Sequence, residues 1–209
     1  RKDDRLMKVT GMTLGMVGTN VWICVNEETK EAFIVDPADG AEQIEAKLAQ
    51  NQWTLKGILL THGHFDHIGA VEALRSAYQV PVWAAEAERE LLSDVEANLS
   101  GPWTGRPIRV KADHWLQDLD CFMLAGMRIQ MILTPGHTAG SCCYYLAEEH
   151  VLLSGDTLFA GSCGRTDLPT GSMNAIVRSI RERLFALPPE TEVYPGHGET
   201  FLGHEGVLW

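Results

Sequence analysis

The run Thr61-His62-Gly63-His64-Phe65-Asp66-His67 packs three histidines and an aspartate into six residues. Every second residue from His62 to Asp66 carries a metal-ligating side chain, and His67 adds another. Imidazole and carboxylate together suit zinc, and also iron or manganese. Side chains alternate along an extended backbone, so His62 and His64 point to one side. Asp66 and His67, where a helix begins, can turn toward a neighbouring point. The spacing therefore suggests two adjacent cation positions. Two such cations share a water and lower its pKa toward about 7, which supplies hydroxide at neutral pH.

The elements that position these side chains read as short apolar strands. Residues 56–60 form a strand, the histidine run leaves its C-terminal end, and residues 68–74 are helix-like. Open α/β sheets commonly place ligand sites at such strand ends. Three more strands repeat the pattern. Residues 128–133 lead through Thr134-Pro135-Gly136 to His137, residues 150–154 lead through Gly155 to Asp156, and residues 192–194 lead through Pro195-Gly196 to His197. One residue of this kind would ordinarily be a cap or turn residue. The repetition points to convergence on one site.

The motifs His62-Gly63-His64-Phe65-Asp66-His67, Pro135-Gly136-His137-Thr138, Ser154-Gly155-Asp156-Thr157 and Pro195-Gly196-His197-Gly198 resemble those of the metallo-β-lactamase superfamily. The nearest likeness is to its glyoxalase II (hydroxyacylglutathione hydrolase) branch. That resemblance implies a four-layer αββα sandwich, of mixed α/β (α+β) class. It implies two divalent cations, zinc first, with iron and manganese also accepted by the donors. His62, His64 and His137 would take one cation, Asp66, His67 and His197 the other, and Asp156 would bridge them. Antibiotic-hydrolysing members often carry cysteine at the Asp156 position, so the complete oxygen and nitrogen set implies the thioesterase-like branch. The implied reaction is hydrolysis of an S-2-hydroxyacyl thioester such as S-lactoylglutathione by a bridging hydroxide, with Asp66 orienting it. Arg165, in Gly161-Ser162-Cys163-Gly164-Arg165, matches a basic residue that meets glutathione's glycine carboxylate. An arginine fork suits that anion.

Two departures mark the chain. Thr166-Asp167-Leu168-Pro169 stands where an aromatic follows this loop in typical glyoxalase II, and only twelve residues follow His197, where that branch carries a helical domain. The segment Cys163-Gly164-Arg165-Thr166-Asp167 also resembles the persulfide dioxygenases of the superfamily, which use one iron. A metal-binding module without catalysis is a further alternative; the complete donor set speaks against it.

With 209 residues, 45% of them hydrophobic, the chain can bury a sizeable core as a single domain over residues 7–209. Residues 1–6 precede the first methionine of the domain and read as upstream or appended sequence. A net charge of −11 with no basic stripe disfavours nucleic acid as a partner. Two divalent cations would offset up to about four of those charges. No apolar run approaches the roughly 20 residues that span a bilayer, and no signal peptide is evident. Five cysteines, odd in number and without a CxxC pair, argue against a disulfide framework and fit a reduced, cytoplasmic setting. Cys24, Cys142 and Cys143 read as core residues, and Cys163 as a loop residue.

Residues 21–25 and 32–35 flank the turn 26–30 as a hairpin. Asp36-Pro37-Ala38-Asp39 ends it and supplies a cap for a helix through Ile44 and Leu48. Residues 86–92 read as helix and 98–107, with four Gly or Pro residues, as loop. Residues 173–187 read as a helix with Ile176, Ile180 and Leu184 in the core. His114, His150 and His204 read as surface or packing residues. Gly11, Gly15 and Gly18 lack the strand–turn–helix order of a dinucleotide fingerprint.

Overall fold

In a computed structural model, residues 5–203 are described. His204 and residues 1–4 lie outside that range. Two six-stranded sheets carry the fold. The first holds, in spatial order, β1 (Met7–Leu14), β2 (Thr19–Asn26), β3 (Glu31–Val35), β4 (Thr54–Leu59), β5 (Val82–Ala85) and β6 (His114–Leu116). Its first three strands pair antiparallel through hairpins, and β3 to β6 run parallel. The second sheet begins with β7 (Cys121–Leu124), β8 (Met127–Leu133), β9 (Cys142–Leu146) and β10 (Val151–Gly155), all antiparallel. Beyond β10 lies β13 (Glu192–Pro195), parallel to it, and then β14 (Phe201–Leu202). The small hairpin of β11 (Leu158–Phe159) and β12 (Ser162–Cys163) stands apart from both sheets.

Side-chain alternation explains the layering. On β3, Phe33 and Val35 face the second sheet, while Ala32 and Ile34 face the helices α1 (Ala41–Asn51) and α2 (Val71–Tyr78). On β5, Trp83 faces inward and Val82 and Ala84 outward; on β9, Tyr144 faces inward and Cys143 outward. Strands buried on both faces need apolar residues at every position, which is why residues 32–35 and 82–85 read as continuous apolar runs. The inner core joins Phe33, Leu59 and Trp83 to Met131, Tyr144 and Leu153. One outer core packs Ile44, Leu48 and Leu74 on the first sheet, and another packs Ile176, Ile180 and Leu184 on the second. The result is the expected four-layer αββα sandwich.

Three local expectations change. The first is the cap: α1 is preceded by Gly40 with no side-chain cap bond, and Asp39 Oδ1 accepts from Gly40 N instead. The second is residues 98–107, which contain a short helix, α4 (Ser100–Thr104), rather than loop throughout. Asn98 Oδ1 accepts the Ser100 N–H, and Pro102 sits in the first turn, where its missing N–H costs nothing. The third is the helix of residues 173–187. It runs as α5 (Met173–Arg178) and then continues as a wider π turn to Leu184, with Ile176, Ile180 and Leu184 still buried. Residues 86–92 are helical, a 3₁₀ turn leading into α3 (Arg89–Ser93). Cys24, Cys142 and Cys143 are fully buried and Cys163 half-buried, all as free thiols. His114 stacks on Trp83 with ring centroids 4.6 Å apart. Arg5 pairs with Glu192, and Leu6 N donates to Glu149. No helix among the described residues is long and apolar enough to cross a membrane.

Candidate metal centre

Four strand ends meet along one edge of the sandwich. The run after β4 brings His62, His64, Asp66 and His67; the loops after β8, β10 and β13 bring His137, Asp156 and His197. The seven side chains form two groups. His62, His64 and His137 offer nitrogens all within 4.8 Å of one another, and Asp66, His67, Asp156 and His197 do the same with mixed donors. Asp156 Oδ2 lies between the groups, 3.2 Å from His67 Nε2, 3.3 Å from His197 Nε2, 3.5 Å from His137 Nε2 and 3.9 Å from His62 Nε2.

Backbone bonds hold each loop. Cys142 N donates to Thr61 O and Tyr144 Oη to Leu60 O, tying the histidine run to the second sheet. The Asn20 side chain donates to Pro195 O and Gly198 O, and Trp22 Nε1 also donates to Pro195 O, which fixes the loop bearing His197.

The imidazoles are turned by partners on their far sides. His137 Nδ1 donates to Arg165 O at 2.7 Å, which leaves Nε2 facing the centre. His67 Nδ1 donates to Asp36 Oδ2 at 2.9 Å. Thr61 donates its hydroxyl to the same Asp36 oxygen at 2.6 Å and lies 3.1 Å from His62 Nδ1, so Asp36 steers two rings, one of them through Thr61. Asp36 ends β3 in the left-handed region, at φ 52°. Asp is among the few residues that accept it. Outer carboxylates of this kind fix ring orientation at metal sites. Asp36 also groups with His62 and His67. Because it occupies the outward nitrogen of His67, it supports the centre and is not part of a third one.

The donors suit cations, and the two groups differ in charge. His62 Nε2, His64 Nε2 and Asp156 Oδ1 are buried without a hydrogen-bond partner. Burial, then the neighbouring rings, hold His62 well below the ordinary histidine range and push His64 down to about 3. Burial also lowers His137. The first group is therefore three neutral imidazoles, the state that ligates. The second group is electronegative. Burial would depress His67, but Asp156, Asp66 and Asp36 hold its cationic form well above the usual range. His197 is likewise lowered by burial and raised more by Asp156 and Asp66, to about 9. Burial raises Asp66 and Asp156, yet His67 and His197 hold both below the carboxylate range. Excess carboxylate around His67 and His197 is a setting that a cation relieves.

Around the centre opens a cavity of about 320 Å³, with His64, Asp66, His137, Asp156 and His197 at its floor and Val17, Leu99, Trp103, Phe159 and Leu168 on its walls. Arg165 lines it too, 5.9 Å over the Trp103 ring. Its fork is engaged: Nε and Nη2 each donate to Asp167 at 2.7 Å.

Sequence reasoning passed over Asp36, Thr61 as a relay, Glu88 and Trp103. Asp36 stands just past a strand end, as Asp156 does, so the same rule applied to β3 would have found it. Glu88 is fully buried; burial pushes its carboxyl up to about 7 against bonds from Thr138, Gly63 and Gly140. Its position inside a helical segment gave no signal.

The sequence profile of the Metallo-beta-lactamase superfamily matches residues 14–197. A probable metallo-hydrolase of Bacillus subtilis, YqgX, is 35% identical over 193 residues, 92% of this chain and 90% of that protein. A hydroxyacylglutathione hydrolase of Ectopseudomonas mendocina is 38% identical over 180 residues, 86% of this chain and 62% of that protein. Among solved structures, the B3 metallo-beta-lactamase BLEG-1 superposes with a TM-score of 0.90 at 40% identity, covering 95% of each chain. TTHA1623, solved in a di-iron-bound form, gives 0.83 at 34% identity, covering 94% of this chain and 96% of its own.

Proposed function

This chain belongs to the metallo-β-lactamase superfamily, and within it we propose that it is a metal-dependent hydrolase of acyl thioesters, with S-2-hydroxyacyl thioesters such as S-lactoylglutathione as its substrates. The observation that carries the reading is the complete nitrogen and oxygen set, with Asp156 between the two groups. The 38% identity to a hydroxyacylglutathione hydrolase supports the same substrate class.

His62, His64 and His137 would hold one cation and Asp66, His67 and His197 the other, with Asp156 shared; zinc and iron both suit these donors, and a relative of 34% identity carries two irons. When bound, such a pair activates water and polarises a carbonyl. The chain's own residues do the rest. Asp66, which accepts from Thr19 Oγ1 at 3.3 Å, is a fixed carboxylate on the cavity floor that can accept a hydrogen bond from an incoming water and orient it. Asp36 and the Arg165 carbonyl keep His67 and His137 in the one orientation that presents Nε2. Trp103, Leu99 and Leu168 exclude water above the floor and give the substrate's apolar parts a surface.

The test is hydrolysis of S-lactoylglutathione by protein as purified, after exhaustive chelation, and after return of zinc or iron. Turnover that outlasts complete metal removal excludes the mechanism. The 40% identity to BLEG-1 gives β-lactams a place in the same assay, and the Arg165-Thr166-Asp167 segment gives glutathione persulfide with oxygen uptake another. Faster turnover of either would displace the thioester reading.

A further inference from the structure

We propose that Glu88 is the positioning residue of the first cation site, a buried carboxylate that staples the loop bearing His62 and His64 to the loop bearing His137. This rests on the metal reading of the centre.

Glu88 is 2% exposed and has no cation among its partners in the described residues. Every bond it accepts comes from one of the two ligand loops. Gly63 N, between His62 and His64, donates to Oε2 at 2.9 Å. Thr138 Oγ1, next to His137, donates to the same oxygen at 2.7 Å, and Gly140 N donates as well. The three donors reach across from segments far apart in sequence. A carboxylate is only an acceptor, so it can meet all three; an amide would turn an N–H against one of them.

The two glycines make this approach feasible. A Cβ on Gly63 would meet Leu91 Cδ2 at 2.7 Å, and one on Gly140 would run into the backbone of Glu88 itself. Both loops therefore lie directly on the helical segment that carries Glu88, close enough for main-chain N–H groups to bind its side chain. Burying a carboxyl group without a counter-charge is costly even where hydrogen bonds compensate. That cost has a return only if holding the loops in register matters, and the register is that of His62, His64 and His137, whose donors must converge.

Glu149 supplies a control. It is also a buried carboxylate accepting main-chain bonds, from Leu6 N and Met7 N, but it precedes β10 at the end opposite Asp156. The experiment titrates full-length, metal-stripped protein with zinc against a chromophoric chelator and records thermal melting of the stripped protein. Glu88→Gln should weaken at least one zinc equivalent by about 10- to 100-fold, the usual effect of losing an outer support of a metal site. Glu149→Gln should lower the melting temperature and leave zinc affinity within about threefold of the parent. Unchanged zinc affinity in folded Glu88→Gln, or equal weakening in Glu149→Gln, overturns the proposal. Should Glu88→Gln fail to fold, Thr138→Val decides, since it deletes one donor only; it should weaken zinc several-fold, and no change overturns the proposal. A parent protein that takes up no zinc or iron would overturn the metal reading itself.

Discussion

Asp167 grips the guanidinium of Arg165 two residues before it, with Nε–Oδ1 and Nη2–Oδ2 both at 2.7 Å. Arg165 was the residue expected to receive a glutathione carboxylate, and the ligand would have to compete with this internal one. Both side chains are exposed, so the pair is weak and readily exchanged. Asp167→Asn should raise kcat/KM for S-lactoylglutathione by no more than about fivefold, mostly through KM, while Arg165→Ala should lower it. A thioester of a neutral thiol should respond to neither change. Equal responses of both thioesters would show that Arg165 does not read the carboxylate.

Asp66 carries two duties in the proposed mechanism, as a ligand and as the acceptor for water. Asp66→Ala should lower kcat by at least about 100-fold, in line with loss of a group that orients the nucleophile. The fold should persist, because Asp66 sits at the cavity floor outside the apolar cores. Turnover equal to the parent would remove Asp66 from the mechanism. A parent without turnover on any substrate class would favour a binding module.

Proton release reports the second site. In the metal-free protein His67 and His197 hold protons at neutral pH, His197 up to about 9. Cation binding must expel them, so zinc addition at pH 7 should release protons, and apparent affinity should rise with pH until about pH 9. The sign for folding is opposite. The raised pKa values stabilise metal-free protein fully below the unfolded histidine value near 6.5, and the His197 contribution fades as pH climbs through about 9. Calorimetry in buffers of different ionisation enthalpy counts the protons; zero release would contradict the charge pattern.

Asp36 should behave as a hub. Asp36→Ala strands the Thr61 hydroxyl, the Thr61 N–H and the His67 Nδ1–H, all buried. It should cost about 1–3 kcal/mol of stability and about 10- to 100-fold in metal affinity. Denaturant melts with and without zinc separate the two effects. Retained affinity despite lost stability would reduce Asp36 to a structural turn.

The layers and the ligands were legible from sequence for different reasons. Apolar runs such as residues 32–35 announce individual strands, while the four-layer arrangement was implied by the resemblance of the ligand motifs to a known superfamily. His62 to His67 announce themselves by density, and His137, Asp156 and His197 by repeating one placement past a strand end. Asp36 was passed over because Asp-Pro also reads as turn and cap chemistry, so its place past a strand end went unused; its carboxylate in fact meets Thr61 and His67. Glu88 was hidden because a glutamate on a helix is ordinarily solvated; its burial depends on two loops about 25 and 50 residues away in sequence. The α4 turn was hidden because glycine and proline count against a helix, while the Asn98 bond that starts it is local and specific.

The donors come from both sheets: four follow β4, and the other three follow β8, β10 and β13. A polypeptide emerging from the ribosome N-terminus first therefore completes the His62, His64 and His137 group earlier, while the second group waits for His197. A chain broken before β13 would keep the three donors of the first group and lack His197 from the second.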